Sequence, residues 1–226
     1  MAYTLYIGDR LYSSWSLRGW LMLEKFKIPH KVKLVGLYSG TMAQDLAHLA
    51  PARLVPTLVT PAGTVIGESL AMAETLAEEN PGAGLWPAAA AQRATARWLV
   101  SEMACGFGAL RGDCPMQLSH IWQGFDPSEA VRKDLARIET LFAHARQMSG
   151  AKDGYLFGDY SLADVFYTPV AARIWGYDLP VSSETRAYCR LLLSDPAVLA
   201  WQEEARKVTY APEPYALPLD RRDWQL

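Results

Sequence analysis

Cysteine is scarce in this chain of 226 residues: Cys105, Cys114 and Cys189 are odd in number and share no C-x-x-C spacing. Neither a disulfide framework nor a thiolate zinc site is signalled, and all three are expected to be reduced, small buried apolar residues. The four histidines, His30, His48, His120 and His144, fall at no metal-ligand spacing, so no metal site is expected and they read as surface or core residues. No segment approaches eighteen consecutive apolar residues, which argues against a membrane-spanning helix. The opening MAYTLYIGDRLY has no basic stretch followed by a long apolar one, and the expected location is the cytoplasm. Charge of one sign never accumulates: 22 basic residues face 24 acidic ones, for a net charge of −2. The positive footprint of a nucleic-acid binder is missing. There is also no G-x-S-x-G, so a serine hydrolase built on a nucleophile elbow ranks far below other readings.

What the chain does contain is apolar residues, at 50%, and an ordinary 20% of charged ones, enough to bury one large core or two modest ones. Residues 4–7 suit a short strand ended by Gly8-Asp9, and 16–26 a helix whose Leu17, Trp20, Leu21 and Leu23 make a wide apolar face before Pro29 stops it. In KVKLVGL, Val32 and Leu34 alternate with lysines, giving a second strand and a parallel pair with a right-handed crossover. A short helical stretch over 42–49 follows. Then VPTLVTPAGTVIGESLAMAETLAEENP reads as strand, tight turn at Pro61-Ala62-Gly63, strand, and a helix over 69–79. The order is βαβαββα over residues 1–80. Prolines and glycines in NPGAGLWPAAAAQ interrupt the periodicity, placing a linker at 81–89. Residues 90–226 offer only helices, over 93–110, 128–148, 161–177, 183–193 and 197–207, so the fold class is α/β followed by an all-helical domain.

Some residues carry chemistry. Ser13 and Ser14 stand where a strand hands over to a helix. A hydroxyl there caps free backbone N–H groups, but the positive end of a helix also suits an anion, and a serine can donate to a thiolate. In LVPTLV, a proline leads a strand shortly before an antiparallel hairpin, and a helix opens at ESLA. This is the ordering of a thioredoxin-like domain, in which that proline is cis and presents the preceding residue's backbone to a ligand. Ser161 and Asp164 have capping-box spacing and read as structural.

YSSWSLR, LVPTLV and ESLAMAETLAEENP resemble the cytosolic glutathione transferases, particularly their serine-using, zeta-like and bacterial members. LWP, SEMACGFGALRGDCPM and YLFGDYSLADVFYTPVAARI extend the resemblance over nearly the whole chain. It implies a homodimer that takes glutathione as co-substrate, without a further cofactor, and a small electrophile as second substrate. Ser13 then falls on the activating serine with Ser14 beside it. Val55 offers backbone groups to the cysteinyl part of glutathione, held by cis-Pro56. Arg53 joins the glutathione-binding set, and Glu68 and Ser69 grip the γ-glutamyl end. Tyr12, Trp15, Met103, Phe107, Arg111 and Met116 are the expected electrophile pocket, with Arg111 available to an anionic substrate or to the glycine carboxylate. Trp15 stands where zeta-class members have cysteine, so a disulfide exchange through a protein thiol lacks its nucleophile in this loop. The alternatives kept beside a transferase are a non-catalytic adaptor on the same scaffold, a glutathione-dependent isomerase and a peroxidase.

Overall fold

The computed structural model describes residues 2–226. Strand β1 (Tyr3–Ile7) is followed by α1 (Ser14–Glu24), β2 (His30–Leu34), α2 (Met42–Leu46, extended by a 3-10 turn over Ala47–Leu49), β3 (Thr57–Val59), β4 (Val65–Ile66) and α3 (Ser69–Glu79). The sheet runs β2-β1-β3-β4. β1 and β2 are parallel, with Tyr3 opposite His30 and Ile7 opposite Leu34, whereas β3 and β4 are antiparallel to their neighbours. The βαβαββα order of the sequence reading is therefore the observed one. Side chains alternate across the pleat: Leu5 and Ile7 join the main core, while Tyr6 turns to a smaller cluster with Leu46, Leu49 and Val55. β2 is an edge strand, and Leu34 is 65% exposed there rather than buried.

α1 begins at Ser14 because Ser13 caps it, two residues earlier than periodicity suggests. It ends in a six-to-one bond from Ile28 N–H to Leu23 C=O, with Lys27 in the left-handed region before Pro29. Leu17 and Leu21 are fully buried, each stabilising the fold by about 2 kcal/mol on leaving water. A Cβ on Gly19 would stand 2.9 Å from Pro56, so the absence of a side chain is what lets α1 lie against the loop that carries Val55 and Pro56.

Beyond a 3-10 turn at Pro81–Ala83 come α4 (Ala90–Cys105), α5 (Gly108–Asp113), α6 (Glu129–Ser149), α7 (Leu162–Gly176), α8 (Ser183–Leu193) and α9 (Pro196–Ala205). Two expectations are corrected here. The helix expected over 93–110 breaks at Gly106 and Phe107, where Phe107 takes a left-handed backbone with φ 56°. The region is mostly rather than wholly helical, because β5 (His120–Trp122) pairs antiparallel with β6 (Arg221–Asp223). α7 lies at the centre, buried on every side, and packs on α1, α4 and α8. Its first turn is the expected capping box, formed by Ser161 and Asp164. Among the described residues no helix is long and apolar enough to cross a membrane.

Candidate active site

The start of α1 and the side of α7 face each other across a cavity of about 280 Å³ lined by Tyr12, Ser13, Ser14, Trp15, Val55, Arg111, Arg173 and Tyr215, among others. Both serines reach it, but their hydroxyls are engaged differently. Ser13 Oγ accepts from Ser16 N–H (3.3 Å) and donates to Ser16 Oγ (2.7 Å), which in turn accepts from Gly8 N–H (2.9 Å). Ser14 Oγ accepts from Arg173 Nη2 (3.3 Å). Behind them the fully buried Arg18 ties Ser14 C=O to Phe166 C=O and to Met103 Sδ. The Trp15 ring packs against two guanidiniums, with Arg18 at 4.5 Å and Arg111 at 5.1 Å from its centroid.

No Asp or Glu lines this cavity. Burial, followed by the charges of Arg173 and Arg111, holds the Arg18 guanidinium well below its ordinary range. Burial also pulls Arg173 down to about 10, which leaves it charged at neutral pH, and its Nε has no hydrogen-bond partner. The tyrosines stay protonated: burial raises Tyr12, and burial with a hydrogen bond donated to Tyr38 raises Tyr215. The C-terminal tail brings Tyr215 over the cavity, its hydroxyl 2.8 Å from that of Tyr38 and its ring 4.3 Å from that of Tyr12.

A second hollow of about 380 Å³ adjoins the first, sharing Trp15, Leu54 and Val55, and continues past Pro56 to Glu68, Ser69 and Cys105. The Val55–Pro56 bond is cis, as expected. At its far end the first turn of α3 has no side-chain cap, so the N–H groups after Glu68 and the exposed Glu68 carboxylate are free for a ligand bearing both an anion and an ammonium. Among the described residues no cluster of three or more His, Cys, Asp or Glu could hold a metal ion.

The structure brings Tyr12, Ser13, Ser14, Trp15, Val55 and Arg111 to the first hollow and Pro56, Glu68 and Ser69 to the second. Three expectations fail. Met103, Phe107 and Met116 belong to the core, at 0%, 6% and 1% exposure; Met103 lies on the buried face of α4 and packs under Arg18. Arg53 is exposed and lines an adjoining groove with Gly67 and Glu68. Cysteine is corrected in part: Cys114 and Cys189 are buried thiols, each pushed by burial up to about 12, while Cys105 is exposed at the rim of the second hollow. Sequence reasoning missed Tyr38, Tyr215 and Arg173. For Arg173 a signal existed, since VAARIWG sets a lone cation in an otherwise apolar stretch.

The glutathione S-transferase N-terminal domain family matches residues 12–79. A probable maleylacetoacetate isomerase of Caenorhabditis elegans is 30% identical over 87% of this chain and 91% of its own length. Among solved structures, a glutathione transferase homolog from Burkholderia gl BGR1 with bound glutathione superposes with a TM-score of 0.67 at 24% identity, over 92% of this chain and all of that one. Glutathione transferase Omega 3C from Trametes versicolor gives a TM-score of 0.67 at 22% identity, over 96% of this chain and 92% of that one. With the sheet order, the serine-capped first helix and the paired hollows, these likenesses establish that the chain belongs to the glutathione S-transferase family.

Proposed function

We propose that this chain is a glutathione transferase that ionises the glutathione thiol at the mouth of α1 and directs it at a small electrophile in the Arg111–Arg173 cavity. The observation that carries the reading is the continuity of the two hollows. A tripeptide with its ammonium on Glu68 and its γ-glutamyl carboxylate on the free N–H groups of α3 passes Val55 and ends with its sulfur beside Ser13 and Ser14. Lowering a thiol from about 8.5 to about 6.5 takes roughly 2.7 kcal/mol. A hydroxyl donating to a charged acceptor supplies roughly 1.5 to 3 kcal/mol, and a helix N-terminus roughly 0.3 to 1 kcal/mol. The thiol proton leaves to solvent, and the thiolate forms the new bond to carbon as that carbon's bond to its leaving group breaks and the group departs with the electron pair, without a covalent enzyme intermediate. Cys114, held protonated by burial, takes no part.

Glutathione is the co-substrate in this reading. Homodimerisation and a cytoplasmic location are proposed with it, on the resemblance. The Caenorhabditis relative favours isomerisation as a second chemistry for the same thiolate, with Trp15 as a wall of the site.

Calorimetry with glutathione and a conjugation assay test the proposal. Glu68→Gln is expected to weaken glutathione binding about tenfold through the lost charge-assisted pair with little change in kcat. Tight glutathione binding with no turnover of any electrophile, whether serine 13 or 14 is present or replaced, would make the chain an adaptor instead.

A further inference from the structure

Arg173 is 5% exposed, so its guanidinium has left water almost completely, yet it joins none of the ion pairs among the described residues. Nη1 donates to Pro169 C=O (3.1 Å), Nη2 donates to Ser14 Oγ, and Nε has no partner. A buried charge without a counter-ion is costly, and such a group marks a site that a ligand's opposite charge completes.

The two serines differ in what they have left to give. A hydroxyl carries one proton. Ser13 spends its proton on Ser16 Oγ at 2.7 Å and serves as the cap of α1. Ser14 uses a lone pair to accept from Arg173, which leaves its proton unspent and turns it away from the guanidinium, and Ser14 lines the cavity.

We propose that Arg173 is a positioning residue that aims the Ser14 proton into the cavity, so that Ser14 rather than Ser13 donates to the glutathione sulfur, while the charges of Arg173 and Arg111 hold that sulfur as thiolate. This rests on the glutathione reading above. The groups that face Arg173 all suit an added anion: Arg111 from α5 and Arg18 from α1 are cations, while Tyr215 from the tail, Tyr177 at the end of α7 and Cys114 after α5 are neutral at working pH, their protons held by burial. A sulfur anion placed there supplies the negative charge that the chain itself withholds.

The test is a pH titration of bound glutathione, read by thiolate absorbance, in wild type, Ser13→Ala, Ser14→Ala, Arg173→Met and Arg173→Lys, with calorimetric binding of glutathione alongside. Ser14→Ala and Arg173→Met are each expected to raise the bound thiol's pKa by about one unit, a tenfold fall in the ratio of thiolate to thiol, as the loss of a charge-assisted donor requires. Ser13→Ala is expected to shift it by less than about 0.3 unit, and Arg173→Lys to recover about half of the loss because charge returns without the fork that reaches Ser14. A larger shift in Ser13→Ala than in Ser14→Ala overturns the assignment. So does an unmoved thiol in Arg173→Met with turnover lost only for electrophiles that carry a carboxylate, which would give Arg173 to the second substrate. A wild-type protein that binds no glutathione removes the transferase reading and this inference together, whereas an acidified thiol that depends on Ser13 removes this inference alone.

Discussion

α7 carries a charged residue near each end, Asp164 and Arg173, and the protein treats them oppositely. Asp164 is completely buried and has both oxygens occupied: Oδ2 accepts from Ser161 N–H (2.8 Å) and Ser161 Oγ (3.1 Å), and Oδ1 from Leu156 N–H (3.3 Å) and Tyr188 OH (2.8 Å). Burial still raises its pKa, and those hydrogen bonds oppose the rise. Arg173 is nearly as buried but only partly satisfied. One helix thus holds a charge whose partners are all internal and another whose partner set is incomplete. The first is how a protein uses a buried charge to specify a fold; the second is how it keeps one ready for a ligand.

The comparison is most severely tested at Asp164. Asp164→Ala leaves two backbone N–H groups and two hydroxyls without their acceptor in a dry interior, and the expected loss is about 3 to 5 kcal/mol of stability, a large share of what a domain has. Denaturant midpoints and refolding yield measure it. The folded fraction should keep a bound glutathione thiol as acidic as in wild type, because the capping box lies at the other end of α7 from Arg173. A variant with normal expression and an unchanged melting temperature would show that Asp164 is not the structural charge described here.

Arg173→Met is the opposite case. Removing an uncompensated buried cation and replacing it with an apolar chain of similar length is expected to leave stability unchanged or raise it by about 1 kcal/mol, seen as a steady or higher melting temperature. The cost appears instead in thiol acidity. Should this variant melt earlier by an amount comparable to Asp164→Ala, Arg173 would be a second structural charge and the contrast between the two ends would collapse.

How far these roles could be read from sequence follows from the range over which each is encoded. The βαβαββα order was legible because turn residues and hydrophobic periods are local, and the bounds of the third helix, 69–79, came out as observed. The start of α1 moved because a cap outranks periodicity: Ser13 closes onto Ser16, so the helix opens at Ser14. The break at Gly106–Phe107 was hidden by a phenylalanine in a conformation that sequence associates with glycine or asparagine. β5 and β6 were invisible because three-residue strands about a hundred positions apart pair through tertiary contact alone. The site divides in the same way. Ser13, Ser14, Val55, Glu68 and Ser69 lie in short motifs at element ends, whereas Tyr38, Arg173 and Tyr215 converge from three distant segments. Methionine and phenylalanine spacing on a helix cannot tell a core wall from a pocket wall, which is why Met103, Phe107 and Met116 were misplaced.

His120 sharpens the contrast, because it is a third titratable side chain turned inward and, like Arg173, lacks a full complement of partners. Its Nδ1 meets Ser119 Oγ at 2.7 Å, its Nε2 has no partner, and its ring stands edge-on to Trp122 at 4.3 Å. Burial, followed by the charge of Arg221 on the pairing strand, lowers its pKa to about 4. Unlike arginine, imidazole can escape an unpartnered position by giving up its proton. Between about pH 6.5 and pH 4 the unfolded chain therefore holds a proton that the folded chain refuses, so this residue's contribution makes stability fall as pH drops through that window and is flat above it. The ring is only half withdrawn from water, which limits the effect to about 1 kcal/mol. His120→Asn is expected to flatten the melting-temperature decline between pH 6.5 and pH 4 while leaving the value at pH 8 nearly unchanged. An undiminished decline in that variant would mean that other groups carry it and that His120 is paired in solution, and the contrast would then rest on Asp164 and Arg173 alone.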